Sequence, residues 1–252
     1  MTPNATNETI GARRIAMLID GDNAQPSLLE KMLAETSKYG SITIRRIYGD
    51  WTAANMSGWK DVLQTYAIQP IQQFRFTIGK NATDSAMIID AMDIVYTGGV
   101  DGFCLVSSDS DYTRLATRIR EKGFFAMGIG KKTTPRAFVN ACDVFVYTQN
   151  LIPEETPARV NGPKKNIGPQ EPSVPDPTPL LKSAFDIAVQ DDGWAFLGTL
   201  GHHLRQLDPG FDSRTYGYKQ LSMLIRSLSK AFQVKEVKSE DGTSVIYVRL
   251  KE

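Results

Sequence analysis

The stretch Ala16-Met17-Leu18-Ile19-Asp20-Gly21-Asp22-Asn23-Ala24 decides the fold. A short apolar run stops abruptly at two carboxylates and an amide. In an open α/β sheet, ligands bind in the crevice beyond the carboxyl ends of the strands, where the strand order reverses. A second run, Phe103-Cys-Leu-Val-Ser-Ser-Asp-Ser-Asp-Tyr112, repeats the design, with Asp109 and Asp111 just past another apolar segment. The pattern predicts an N-terminal region that brings these acidic strand ends together.

Working outward, apolar strand-like runs alternate with helical periodicity. Strands are predicted near Ile15–Ile19, Ile42–Tyr48, Ile68–Phe76, Phe103–Val106, Phe124–Ile129 and Val144–Tyr147. Helices are predicted after Pro26, over Trp59–Tyr66, Ser85–Tyr96 and Tyr112–Lys122, and from Pro135 to Cys142. Continuous apolar strands separated by helices imply a parallel sheet covered on both faces.

Between Pro153 and Pro179 lie eight of the 13 prolines and almost nothing apolar, the composition of a linker. Beyond it, Leu180–Val189, Trp194–Leu207 and Gln220–Phe232 read as helical, and Val234–Val237 and Val245–Leu250 flank the turn Ser239-Glu-Asp-Gly242. Three helices and a hairpin are the order of a winged helix-turn-helix. The expected division is a disordered lead over residues 1–13, an α/β domain over 14–151, a Pro-rich linker over 152–178 and a winged helix over 179–252.

At 41% hydrophobic and 23% charged, the 252-residue chain has the composition of a globular protein. A net charge of +1 leaves no global basic footprint, so a nucleic-acid partner has to be argued from local sites. Cys104 and Cys142 sit in apolar contexts and read as reduced buried thiols. With two Cys and two adjacent His, no zinc spacing is present. The polar start and the lack of a membrane-length apolar run predict a cytoplasmic protein.

Five carboxylates carry the chemistry. Asp20 and Asp22 follow the first strand, Asp109 and Asp111 the fourth, and Asp84 opens the helix after the third. If the first and fourth strands are neighbours, these ends converge. Their mutual repulsion is costly unless a divalent cation offsets it, and oxygen-only ligands suit Mg²⁺ or Mn²⁺. Any single Asp after a strand can equally cap the next helix. Two separate Asp-X-Asp corners together with Asp84 favour the metal, with Asp22 and Asp111 the weaker members. Asp90 is either a supporting group or part of a solvated helix face. Lys80, just before Asp84, could meet a phosphate.

Leu-Ile-Asp-Gly-Asp-Asn, Gly-Lys-X-X-X-Asp and Val-Ser-Ser-Asp-Ser-Asp-Tyr, in that order, resemble the NYN family of PIN-like Rossmannoid domains over roughly Arg14 to Leu151. Ser108 stands where that family often carries glycine. The resemblance implies an α/β/α sandwich and a Mg²⁺- or Mn²⁺-binding site in which Asp20, Asp84, Asp109 and Asp111 are metal ligands and catalytic residues. It implies that Asn23 positions metal or phosphate, with metal-dependent hydrolysis of RNA as the activity.

Leu180-Leu-Lys-Ser-Ala-Phe, Asp192-Gly-Trp-Ala-Phe-Leu-Gly, Asp208-Pro-Gly-Phe-Asp-Ser-Arg-Thr-Tyr-Gly-Tyr218 and Leu221-Ser-Met-Leu-Ile225 are similar to the OST-HTH, or LOTUS, family. That resemblance implies a small winged helix that binds RNA, including G-rich RNA, and in some members a protein partner. Trp194 is expected in the core. Arg214, Tyr216, Tyr218 and Lys219 are the candidate RNA contacts, by phosphate pairing or base stacking.

Two other functions are compatible with the sequence. One is a non-catalytic RNA-binding scaffold whose acidic pocket holds a metal without turnover. The other is a haloacid-dehalogenase-like phosphatase, because Asp20-Gly-Asp22 on a strand end resembles its nucleophile and acid pair.

Overall fold

The computed structural model describes residues 13–74, 82–152, 175–238 and 244–251. Lys80, most of the expected lead and most of the Pro-rich segment lie outside these residues. The chain divides into two compact units, Met1–Ile152 and Pro153–Glu252.

In the first unit the elements run β1 (Arg14–Asp20), α1 (Leu29–Thr36), β2 (Ser41–Gly49), α2 (Lys60–Thr65), β3 (Gln69–Gln72), α3 (Ala82–Thr97), β4 (Gly102–Val106), α4 (Thr113–Glu121), β5 (Phe125–Gly130), α5 (Arg136–Ala141) and β6 (Val144–Tyr147). The sheet order is β3-β2-β1-β4-β5-β6, and every pairing is parallel. The order therefore reverses between β1 and β4, which pair from Ile15 opposite Gly102 to Ile19 opposite Val106. That juxtaposition puts both acidic runs at one switch point.

Strand alternation sorts the core into two layers. Ala16 and Leu18 of β1 pack with Phe103 and Leu105 under α3, α4 and α5, whose Met87, Ala91, Leu115, Ile119, Phe138 and Val139 face them. Ile15, Met17 and Ile19 pack on the other face with Met32, Leu33, Trp59 and Leu63. Asp20 continues the even-numbered alternation and so points to the α3 side. Cys104 and Cys142 are buried and unbridged, and burial pushes both thiols up, Cys104 to about 12.

Asp90 is no bare helix face. Its carboxylate accepts hydrogen bonds from the Tyr48 hydroxyl and the Arg46 guanidinium, tying α3 to β2. The third strand is shorter than expected, Gln69–Gln72 in place of Ile68–Phe76, and residues 75–81 lie outside the described set.

The second unit contains α6 (Thr178–Ala188), β7 (Ala195–Phe196), α7 (Leu197–Leu207), α8 (Leu221–Ser227), β8 (Phe232–Lys238) and β9 (Ser244–Leu250). Its three strands are antiparallel in the order β7-β9-β8. Leu181, Phe185, Leu200, Leu204, Ile225 and Val248 form its core. The helix expected over Gln220–Phe232 ends at Ser227, because Phe232 enters the core as the first residue of β8. Trp194 is half-buried and not in the core, since Ala195 takes the inward position of β7 and leaves the indole outside. No helix among the described residues is long and apolar enough to cross a membrane.

Candidate metal centre

Asp20 is fully buried at the carboxyl end of β1. Its Oδ1 accepts from the Asp22 amide at 3.1 Å, and its Oδ2 accepts from Asn23 Nδ2 at 2.6 Å and Ser107 Oγ at 2.8 Å. Burial pushes this carboxyl above its usual range, and the nearby charge of Asp84 adds to the shift. The hydrogen bonds from Asn23, Ser107 and Asp22 oppose it. Ser107 directly follows β4, so the switch-point pairing itself delivers the group that holds Asp20.

Asp109 follows β4 and caps the short 3-10 turn Ser110–Tyr112, accepting from the Asp111 amide at 2.9 Å. The same geometry aims both carboxylates outward beside α3. Asp84 lies in the first turn of α3, where the helix dipole favours negative charge by about 0.3–1 kcal/mol. One carboxylate oxygen from each of Asp84, Asp109 and Asp111 lies within 4.8 Å of the others. Burial raises the Asp84 carboxyl, the Tyr112 hydroxyl lowers it, and the charges of Asp109, Asp111 and Asp22 raise it further. Tyr112 donates to Asp84 Oδ1 at 2.7 Å and is itself fully buried. Burial and the surrounding carboxylates push the phenol far above its usual range, so it stays a neutral donor.

Three of the four expected ligands thus form one oxygen cluster. Asp20 sits beside it as a buried carboxylate held by three donors. The capping and clustering roles coexist, because a cap uses one carboxylate oxygen and leaves the other. Three carboxylate oxygens crowded this closely fit a hard divalent ion such as Mg²⁺ or Mn²⁺.

Gly21 explains why the motif carries a glycine between its two acids. Its amide donates to the Tyr48 carbonyl at 2.9 Å, and a Cβ here would lie 2.8 Å from that same oxygen. Gly21→Ala is expected to cost about 1–3 kcal/mol of stability in the first unit, read as a lowered denaturation midpoint. A midpoint equal to the parent's would show that β1 and β2 can separate freely.

Lys131 and Lys132 were not singled out from the sequence. They follow β5 at the same sheet end, where Lys131 joins Asn23, Ser107, Ser108 and Thr148 with the apolar Leu28, Met32, Val106 and Ile129 around a small, mostly apolar pocket. The Lys131 amide donates to Ser108 Oγ at 2.9 Å, which fixes the loop against β4. The strand-end rule that picked out Asp20 applies equally to Gly130-Lys-Lys132, and that was the available signal.

In the C-terminal unit, Arg214 is gripped by Asp212, with Nη2 to Oδ2 at 2.6 Å, and the Tyr216 ring lies 5.8 Å from that of Phe211. Tyr218 is half-buried and its amide donates to the Ser213 carbonyl, while Lys219 is exposed. The structure therefore brings these four candidates onto one turn around Gly217, at φ +79°, with Arg214 and Tyr216 already engaged within the unit.

The NYN domain profile matches residues 14–151, and the OST-HTH/LOTUS domain profile matches residues 174–242. An uncharacterized protein of Methanocaldococcus jannaschii is 30% identical over 124 residues, covering 48% of each chain. The present chain therefore spans about half the length of that curated relative. Among solved structures, a Vibrio parahaemolyticus protein of unknown function is 18% identical with a TM-score of 0.46, covering 54% of this chain and 93% of its own. An uncharacterized Nitrosomonas europaea protein is 32% identical with a TM-score of 0.29, covering 38% of this chain and 93% of its own.

Proposed function

Because the chain belongs to the NYN domain family, we propose that its first unit is a Mg²⁺- or Mn²⁺-dependent endoribonuclease that hydrolyses RNA phosphodiester bonds and leaves a 5′-phosphate. The family has a nuclease-like, RNA-related fold, and the OST-HTH/LOTUS module is an RNA-binding type. The observation that carries the proposal is the oxygen cluster of Asp84, Asp109 and Asp111 at the switch point between β1 and β4.

In this reading Asp84, Asp109 and Asp111 hold the cation. When bound, such an ion stabilises charge at phosphorus and lowers the pKa of a water, the chemistry that phosphodiester hydrolysis requires. Asp20 adds a buried negative charge beside the cluster, and Asn23 and Ser107 keep it in place. Tyr112 orients Asp84 by donating to one oxygen and leaving the other for the ion. Lys131 and Lys132 would meet the phosphates flanking the scissile bond.

Asp20 is a poor candidate for a phosphatase nucleophile, since it is buried and both of its oxygens already accept hydrogen bonds. The C-terminal module raises the local concentration of RNA at the first unit through the tether between them.

The test is a survey of single-stranded RNA, structured RNA and DNA with Mg²⁺, with Mn²⁺ and with chelator. The reading requires RNA cleavage that a divalent ion stimulates. Intact RNA bound by the protein under every condition would leave the non-catalytic scaffold. For the flanking lysines, Lys131→Ala and Lys132→Ala are each expected to raise KM about fivefold with little change in kcat, as lost phosphate contacts should. A fall in kcat at unchanged KM would instead place them at the reacting phosphorus.

A further inference from the structure

The outer face of the three-stranded sheet in the C-terminal unit carries rings and cations. Strand alternation sets it up. Ala195 and Val248 are buried against the helices, and Val234 packs against the same core. Phe196, Tyr247 and Lys235 therefore fall on the opposite face. The pairings Phe196 with Tyr247 and Tyr247 with Lys235 align them in one row across all three strands. Two strand spacings make that row about 10 Å long. Arg249 and Gln233 lie one step along it, and Val245 and Val237 one step the other way.

The exposure of this face is unusual for its chemistry. Phe196 is 40% exposed and Val237 39%, and Lys235 and Arg249 are exposed. The rings of Phe196 and Tyr247 lie 6.1 Å apart. The Lys235 ammonium sits 5.7 Å from the centre of the Trp194 ring, which anchors the cation near the sheet. Gly198 makes room for Phe196, because a Cβ there would lie 2.5 Å from the phenyl ring. Of the seven outward positions on the described strands (196, 233, 235, 237, 245, 247 and 249), none is acidic.

Packing does not require this arrangement, since the unit's core lies on the other side of the sheet. The exposed Phe196 ring and the half-buried Tyr247 ring, in register with cations, match a ligand with flat apolar faces on a polyanionic chain. We propose that this face is the module's RNA contact, and that it takes unpaired RNA by stacking bases on Phe196 and Tyr247 while Lys235 and Arg249 meet the phosphates. The proposal rests on the reading of the module as RNA-binding and adds the surface and the strandedness. In a duplex the base faces are stacked on one another and unavailable to the rings.

The experiment uses the full chain in chelator, so that cleavage cannot remove the probe, and follows the fluorescence anisotropy of labelled single-stranded RNA of mixed sequence. Phe196→Ala and Tyr247→Ala are each expected to weaken binding about tenfold. Lys235→Ala combined with Arg249→Ala should lower the slope of log affinity against log salt by about 1.4, for two lost phosphate contacts on a single strand. These two exposed lysine and arginine positions can be changed without touching the core. Duplex RNA of the same sequence should compete poorly. If the parent protein binds no RNA, the RNA-binding reading falls and this proposal with it. If the parent binds while the variants bind equally well, or duplex competes as well as single strand, the sheet face is overturned and the RNA-binding reading stands.

Discussion

Asp109→Asn is expected to slow divalent-supported RNA cleavage at least about a hundredfold while leaving the first unit as stable as the parent, or slightly more so. Substitutions that only perturb a metal's supporting groups commonly cost about 10–100-fold, so losing a ligand should cost no less. Stability should hold because asparagine caps a helical turn about as well as aspartate, and Asp109 accepts the Asp111 amide in that capacity. It should rise if anything, because one of three carboxylates within 4.8 Å of one another loses its charge. Cleavage rates in Mn²⁺ and thermal midpoints in chelator measure the two effects. A variant that cleaves at the parent rate would remove Asp109 from the site. One that fails to fold would make it a structural residue.

Phe138→Ala should produce the largest loss of stability, about 3–5 kcal/mol. Phe138 is fully buried, its ring centre 5.7 Å from that of Phe145 and 6.4 Å from that of Tyr112. Folded domains are commonly stable by only about 5–15 kcal/mol, so the change should move the denaturant midpoint far. The cavity also removes one wall that holds Tyr112, and Tyr112 holds Asp84. Cleavage should therefore fall well below the denaturation midpoint, before the unit unfolds. Fluorescence of the buried Trp59 reports on this unit. A midpoint shift worth less than about 1 kcal/mol would mean that the layer under α5 collapses around the cavity.

The sequence was most informative where a local rule met a topological one. Apolar runs ending in Asp20 and Asp109 are visible one at a time, and the switch-point rule is enough to expect them side by side, as β1 and β4 are. What stayed hidden depends on distant partners. The burial of Asp20 under Ser107, the Tyr112 bond to Asp84 and the use of Asp90 to tie α3 to β2 each join residues more than 25 positions apart. In the second unit, the two-residue strand Ala195–Phe196 was unreadable inside a helical pattern, and missing it misplaced Trp194 and concealed the outer sheet face. Helical periodicity across Gln220–Phe232 likewise ran past the helix end, since Leu228 and Phe232 are apolar for packing around a turn and a strand.

One titration tests the central claim most directly. Mn²⁺ is added to the metal-free full chain, and RNA cleavage and the thermal midpoint of the first unit are followed on the same preparation. Binding to the folded state alone should raise stability by about 2.7 kcal/mol at a hundred times the dissociation constant. The expected result is that cleavage and stabilisation rise together with one half-saturation point, and that Asp109→Asn loses both. Cleavage that persists in chelator, or that survives in the variant without any metal-linked stabilisation, would contradict the assignment of catalysis to this acidic cluster.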